Sequence, residues 1–330
     1  MGGPFWGHLA GWAFVVGKTA SCAAMALTLA SYAWPQHART VAAAAVVGLT
    51  ALSYRGVQKS AWATRVIVAV VLAVLAAVVV ACLAGGHSVT LQPFLGGSVR
   101  GVLQAAGLLF FAFAGYARVA TLGEEVRDPE RTIPRAITVA LAITVAVYAA
   151  VATAALLAVG ANALATSPAP LRTAVEAGGL HWLGPAVRVG ATVAALGSLL
   201  ALLLGVSRTA LAMARDGHLP RGLAVVHPRF GVPHRAELAV AAAVVVLVLT
   251  TDLRSAIGFS SFGVLVYYAI ANASALTLRA DERRPPRWLP VLGLIGCAVL
   301  AASLPVAAVA SGAVVVALGA VAYRLTSTHR

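Results

Sequence analysis

The chain has 330 residues, of which 61% are apolar and 10% charged, with a mean hydropathy of +0.91. A soluble domain is about 45–50% apolar and about 25% charged, so this chain has too little polar surface to cover a globule and too much apolar content to be disordered. An integral membrane protein built from repeated apolar segments remains. The net charge of +14 would suit a nucleic-acid binder only if it were clustered, which makes its distribution the deciding feature.

The first ten residues, MGGPFWGHLA, contain no Lys or Arg, so they lack the basic start of a secretory signal and read as mature chain. Spanning about 30 Å of hydrocarbon takes roughly 20 helical residues. Ten segments are expected as spans: 9–32, 40–53, 66–85, 100–118, 136–159, 183–206, 237–252, 256–278, 288–304 and 306–323. They are too long for barrel strands and show no alternation of period two, so the fold class is an all-α integral membrane protein. The last two form one apolar run, and Leu304-Pro305 or Ser311-Gly312 supplies the hairpin that breaks it. The three cysteines, Cys22, Cys82 and Cys297, lie far apart inside apolar runs and read as small core residues rather than disulfide or metal partners.

Arginine and lysine placement tests this count. If helices alternate, eighteen of the 24 basic residues fall on one side, in the segments after helices two, four, six, eight and ten. Five, Arg39, Arg100, Arg172, Arg188 and Arg254, fall on the other, and Lys18 lies within the first span. That bias places both termini in the cytoplasm and the chain in the cytoplasmic membrane. It also removes the nucleic-acid reading, because the charge follows topology and forms no aromatic-interleaved patch.

Enzyme chemistry finds no footing. The eight histidines are scattered, without HExxH or paired metal spacing. His227 and His234 read as loop residues, Ser207, Ser260 and Ser261 have no associated His/Asp pair, and neither GxGxxG nor a P-loop occurs. No cofactor or metal is expected.

The fourth span and its sequel read GLLFFAFAGYARVATLGEEVRDPERTIPRAI. Gly107 and Gly115 flank Phe110, Phe111 and Phe113, a pattern that serves either to break a helix beside a cavity or to let helices pack closely. Beyond it, Glu124, Glu125, Arg127, Asp128, Glu130 and Arg131 form a charged turn. Pro129 and Pro134 are expected to stop the helix there, with Thr132 capping a new helix that begins near Pro134. Lys18, ten residues into the first span, is either an ionisable group available for proton coupling or a lysine satisfied by Ser21 or snorkelling to an edge.

Three stretches carry a resemblance. FFAFAGYARVATLGEEVRDPERTIPRAI resembles the sixth helix and following loop of amino acid–polyamine–organocation (APC) permeases. SRTALAMARDGHLPRGLAVVHPRFGVPHRAEL is similar to the family's cytoplasmic loop after helix eight, and SFGVLVYYAIANASALTLR to its helix ten. The resemblance covers residues 5–325 and implies a LeuT-like five-plus-five inverted-repeat fold, with substrate held between two broken helices and exposed to each side in turn.

Carried over, it places Phe111 as an aromatic gate and Ala112, Phe113, Ala114 and Gly115 as unwound backbone. Tyr267 and Tyr268 would close the outer path, and Gly197 and Ser198 would lie near a cation-like site. The loop signatures are Glu124, Glu125, Asp128, Pro129, Arg131 and Pro134, then Arg215, Asp216 and Gly217. Ala117 stands where some relatives carry a polar or acidic specificity residue, which weakens a preference for cationic substrates.

The resemblance implies a secondary amino acid permease, near the cationic amino acid transporter branch, driven by protons or exchange, with an amino acid, the bilayer and protons as its partners. Residues 9–99 resemble helices three to five, 100–278 helices six to ten, and 279–330 helices eleven and twelve with the C-terminal tail. On this alignment the first repeat is incomplete, for the family's first two helices have no counterpart. The alternative expectation is therefore a non-transporting remnant or structural subunit.

Overall fold

The structure, a computed structural model, describes residues 3–55, 61–85, 98–113, 115, 128–279 and 286–327. Among them every regular element is helical: α1 (Pro4–Ala33), α2 (Ala38–Tyr54), α3 (Ala61–Ala84), α4 (Val99–Phe113), α5 (Pro129–Val159), α6 (Ala161–Thr166), α7 (Pro170–Ala177), α8 (Gly184–Arg215), α9 (His234–Thr250), α10 (Leu253–Leu276), α11 (Trp288–Ser303) and α12 (Val306–Ser327). All ten expected spans coincide with helices; the short α6 and α7 lie outside those expectations. Six helices are long and apolar enough to cross a membrane by themselves, and α4 and α11 are shorter apolar helices. With 17 residues each, α2 and α9 reach only about 25 Å at roughly 1.5 Å per residue.

Several boundaries differ from expectation: α1 and α3 begin five residues early, at Pro4 and Ala61, and α8 runs on to Arg215 rather than 206. The described part of α4 reaches Phe113 and Gly115 stands in a turn, while residues 114 and 116–118 of the expected span lie outside the described residues. α5 begins at Pro129 and runs through Pro134, so neither proline stops it, and Thr132 lies inside its first turns with its N–H donated to the Asp128 carbonyl at 3.0 Å. At the first helical position Pro129 costs no intrahelical bond, and Pro134, five residues on, removes one i→i−4 bond from a helix of 31 residues without ending it. Asp128 takes the preceding position at φ 49°, the left-handed region, without a side-chain cap bond. Between α11 and α12 the break falls at Leu304-Pro305, while Ser311 and Gly312 lie within α12.

α1 is the central helix, buried nearly all round from Gly17 to Ala30, and α10, α8, α2, α9 and α12 pack against it. Its buried residues are mostly small, including Ala20, Cys22, Ala23, Ala24, Ala26 and Ala30. In lipid no hydrophobic force separates tails from side chains, so small residues that let backbones approach favour association. α10 comes closest: a Cβ added at Gly263 would stand 2.9 Å from the Gly17 Cα and 3.1 Å from the Ala13 carbonyl. The bulkier valine- and leucine-rich helices α3, α5 and α12 leave most of their surface exposed.

Contacts sort the helix ends into two sets. His8 at the start of α1 lies 5.2 Å, ring to ring, from both His218 in the loop after α8 and Tyr323 near the end of α12. Tyr54 at the end of α2 packs on His227, Phe230 and His234 of the same loop and α9. At the opposite ends, Arg188 donates to the carbonyls of Tyr32 and Ala33, and Gly85 meets Gly178 backbone to backbone. These are the groupings that the arginine count requires. Five of the six tryptophans, Trp6, Trp34, Trp62, Trp182 and Trp288, are exposed at or beside helix ends, where amphipathic rings suit the two membrane–water boundaries. The sixth, Trp12, lies over Gly319 of α12 and donates its indole N–H to the Val315 carbonyl at 2.8 Å.

Candidate functional site

α4 packs against α10 and α11, with Gly107 seated on the Leu300 carbonyl and the Leu304 side chain. One turn on, Phe110 stands edge-on to Tyr268 at 5.6 Å, and Tyr268 in turn lies 4.9 Å from Tyr267, whose ring meets Phe14 of α1 at 5.4 Å. An aromatic chain thus joins α4, α10 and α1. Phe111 is half-buried, Ala112 is exposed, and Phe113 packs on Tyr148 of α5 at 5.2 Å. Gly115 lies in a turn with open space at its Cα, and Ala114, Ala117, Glu124 and Glu125 lie outside the described residues.

The last four carbonyls of a helix have no partner within it. At the end of α4 one of them, Ala112 O, accepts a bond from the Tyr148 hydroxyl at 3.4 Å. Tyr148 carries no sequence signal for this role: it sits mid-helix, 36 residues away, and only packing brings it to α4.

Lys18 is buried at 6% exposure, so it does not snorkel to an edge. It shares its face of α1 with Ser21, whose hydroxyl lies 2.6 Å from the Ser260 hydroxyl of α10, and with the thiol of Cys22. Gly197 faces Ile67 of α3, and Ser198 is exposed. Neither residue lines a cleft with the end of α4. The two clefts of note lie elsewhere: one among α1, α10 and α12 around Trp12, Gly17 and Gly263, the other between the end of α1 and the start of α8.

The described residues of the loop signatures lie at or near helix ends, with Pro134 inside α5. Asp128 and Pro129 open α5, Glu130 and Arg131 fill its first turn, and Arg131 donates its N–H to the Asp128 carbonyl. Arg215 closes α8; Asp216 and Gly217 return their N–H groups to Ala212 and Ala214, and His218 to Met213. Gly217 stands at φ 73°, the left-handed position that ends such a helix and that glycine adopts without a Cβ penalty. His227, read as a loop residue, organises the turn around it, for its Nδ1 accepts the N–H groups of Arg229 and Phe230. A buried Glu237, hydrogen-bonded by Ser53, carries no sequence signal because its partner is 184 residues distant.

A multi-pass α-helical bundle with a central helix of small residues and tryptophans at the helix ends defines an integral membrane protein. The amino acid permease family model matches residues 2–324, and the chain belongs to that family, within the APC group. An uncharacterized transporter of Mycobacterium tuberculosis is 66% identical over 323 residues, covering 97% of this chain and 73% of its own length. A branched-chain amino acid permease of Bacillus subtilis is 26% identical over 292 residues, 86% of this chain and 62% of that protein. Human cationic amino acid transporter 4 is 33% identical over 186 residues, 56% of this chain and 29% of that protein.

Proposed function

We propose that the chain carries an amino acid across the cytoplasmic membrane by alternating access, coupled to a proton or run as an exchange. Both termini lie in the cytoplasm on this reading, and α1–α3 correspond to the family's helices three to five, α4–α10 with the short α6 and α7 to helices six to ten, and α11–α12 to the last two. The observation that carries it is the end of α4 at Phe113, with the Ala112 carbonyl bonded by Tyr148 and Gly115 in an open turn. Interrupted helices offer main-chain donors and acceptors to a small zwitterion at mid-membrane. Phe111 and Phe113 would cover the substrate, the backbone from Ala112 to Gly115 would hold it, and Tyr267 and Tyr268 would close the outer path.

Lys18 supports the coupling part. An ionisable group buried inside a span is costly and is by default functional, and an amine is able to take up a proton and release it. The test is uptake of labelled amino acids into proteoliposomes, with and without an inward proton gradient, for this chain and for the longer mycobacterial relative. Gradient-stimulated uptake lost in Lys18→Ala supports proton coupling. Uptake in Lys18→Ala with unchanged pH dependence overturns that role, and absence of both uptake and exchange in either protein overturns the carrier reading. A second reading, a non-transporting membrane subunit, is favoured by one feature: neither cleft joins Phe111 and Gly115 to Lys18, Gly197 or Ser198.

A further inference from the structure

The cleft between the end of α1 and the start of α8 has a volume of about 380 Å³ and is lined by Ala33, Pro185, Arg188, Val189, Thr192 and Val193. That lies within the roughly 300–1,000 Å³ typical of pockets for drug-sized ligands. Its two ends differ in chemistry. At the mouth, Arg188 Nε donates to the Tyr32 carbonyl at 3.2 Å and Nη2 to the Ala33 carbonyl at 2.9 Å. A guanidinium has five N–H donors, so these two bonds fix its plane and leave donors to spare. Among the described residues no carboxylate pairs with it, for the salt bridge found there joins Arg172 to Glu176.

Below the mouth the walls are mostly apolar, with Thr192 between two valines. Val189 and Val193, 64% and 37% exposed, share one face of α8 with the lipid. From Arg188 to Val193 the helix descends about 7 Å at roughly 1.5 Å per residue. Trp34 and Trp182, 57% and 73% exposed, stand close to the mouth in sequence, one residue beyond Ala33 and two before Gly184, and mark the headgroup level. An oriented cation at headgroup depth above an apolar slot in contact with hydrocarbon suits an amphipathic anion.

We propose that this cleft binds one phospholipid with an anionic headgroup, its phosphate on Arg188 and an acyl chain along Val189, Thr192 and Val193. A free phosphate is the poorer occupant, because it engages the cation alone and makes no contact with the valine-lined part of the slot. Charge-assisted, two-pronged bonds from an arginine to phosphate are strong and geometrically selective, and Arg188 is already held in place. None of the residues assigned to substrate lines the cleft, so the site stands independently of the transport reading.

The test is native mass spectrometry of the whole chain, released from nanodiscs of phosphatidylcholine containing phosphatidylglycerol. One phosphatidylglycerol is expected to remain bound to the wild type in preference to phosphatidylcholine. Arg188→Gln should lower its occupancy at least ten-fold. Because Arg188 also bonds the end of α1, a second variant leaves it in place: Val193→Trp should fill the slot and produce a similar loss in a chain that still melts like the wild type. Equal retention of the two lipids, occupancy unchanged in Val193→Trp, or displacement by millimolar inorganic phosphate would overturn the proposal. So would a Val193→Cys thiol closed to a lipid-soluble maleimide in lipid-free detergent, since the cleft would then be filled by protein.

Discussion

Gly217 and Asp252 show how single residues in this chain set helix ends. At φ 73° Gly217 bends the chain away from α8, and an alanine there would bring its Cβ against the backbone, at a cost of about 1 kcal/mol. Gly217→Ala should lower the melting temperature in detergent, and Gly217→Asn should lower it less, because asparagine tolerates the left-handed region. Asp252 caps α10, accepting the Ser255 N–H at 3.0 Å and the Ser255 hydroxyl at 2.6 Å, and these bonds hold its carboxyl below the ordinary value. A depressed carboxyl stabilises the fold above its unfolded pKa, and the contribution disappears as pH falls through the folded value. Asp252→Ala should therefore cost about 1 kcal/mol near neutral pH. The gap from wild type should narrow as melts are taken to pH values below the ordinary carboxyl range, and a gap independent of pH would contradict the capping role.

At the scale of elements, the crossing of α1 and α10 holds the bundle's centre. Gly17 and Gly263 face each other with no room for a side chain, and the Ser21–Ser260 bond lies one turn farther along. Gly263→Leu must push the helices apart, and overpacking of that kind costs roughly 1–3 kcal/mol. The expected result is a lower melting temperature in detergent, whereas Gly296→Leu, with open space at its Cα, should leave it unchanged. α5 teaches a different lesson. Pro134 reads as a breaker in sequence, yet the helix passes through it, because a proline removes a single N–H donor and the rest of a 31-residue helix keeps its bonds. In α4 the apolar run passes Phe113, yet Gly115 stands in a turn. Hydropathy reports where a chain can be buried; whether the backbone stays helical there depends on glycine and on what side chains, such as Tyr148, are offered to the carbonyls left over.

For the molecule as a whole, the structure and the arginine count agree on which helix ends belong together, so sidedness is open to direct measurement. The thiol of His218→Cys should react with a membrane-impermeant maleimide only from the cytoplasmic face, and that of Trp182→Cys only from the opposite face. The native Cys22, Cys82 and Cys297 are buried and should contribute little background. Labelling of both positions from the same face would overturn the alternation of spans.

The place of the apolar helices and the family were legible in the residues alone, because a bilayer demands long apolar helices and leaves composition little freedom. Which helix stands at the centre was not, since the closeness of α1 to α10 and α8 is a matter of small side chains meeting across hundreds of residues. The partners of Tyr148, Arg188 and Glu237 were hidden for the same reason. Each is an ordinary residue in its own helix and acquires a role only when packing brings another element's carbonyl or hydroxyl within hydrogen-bond reach.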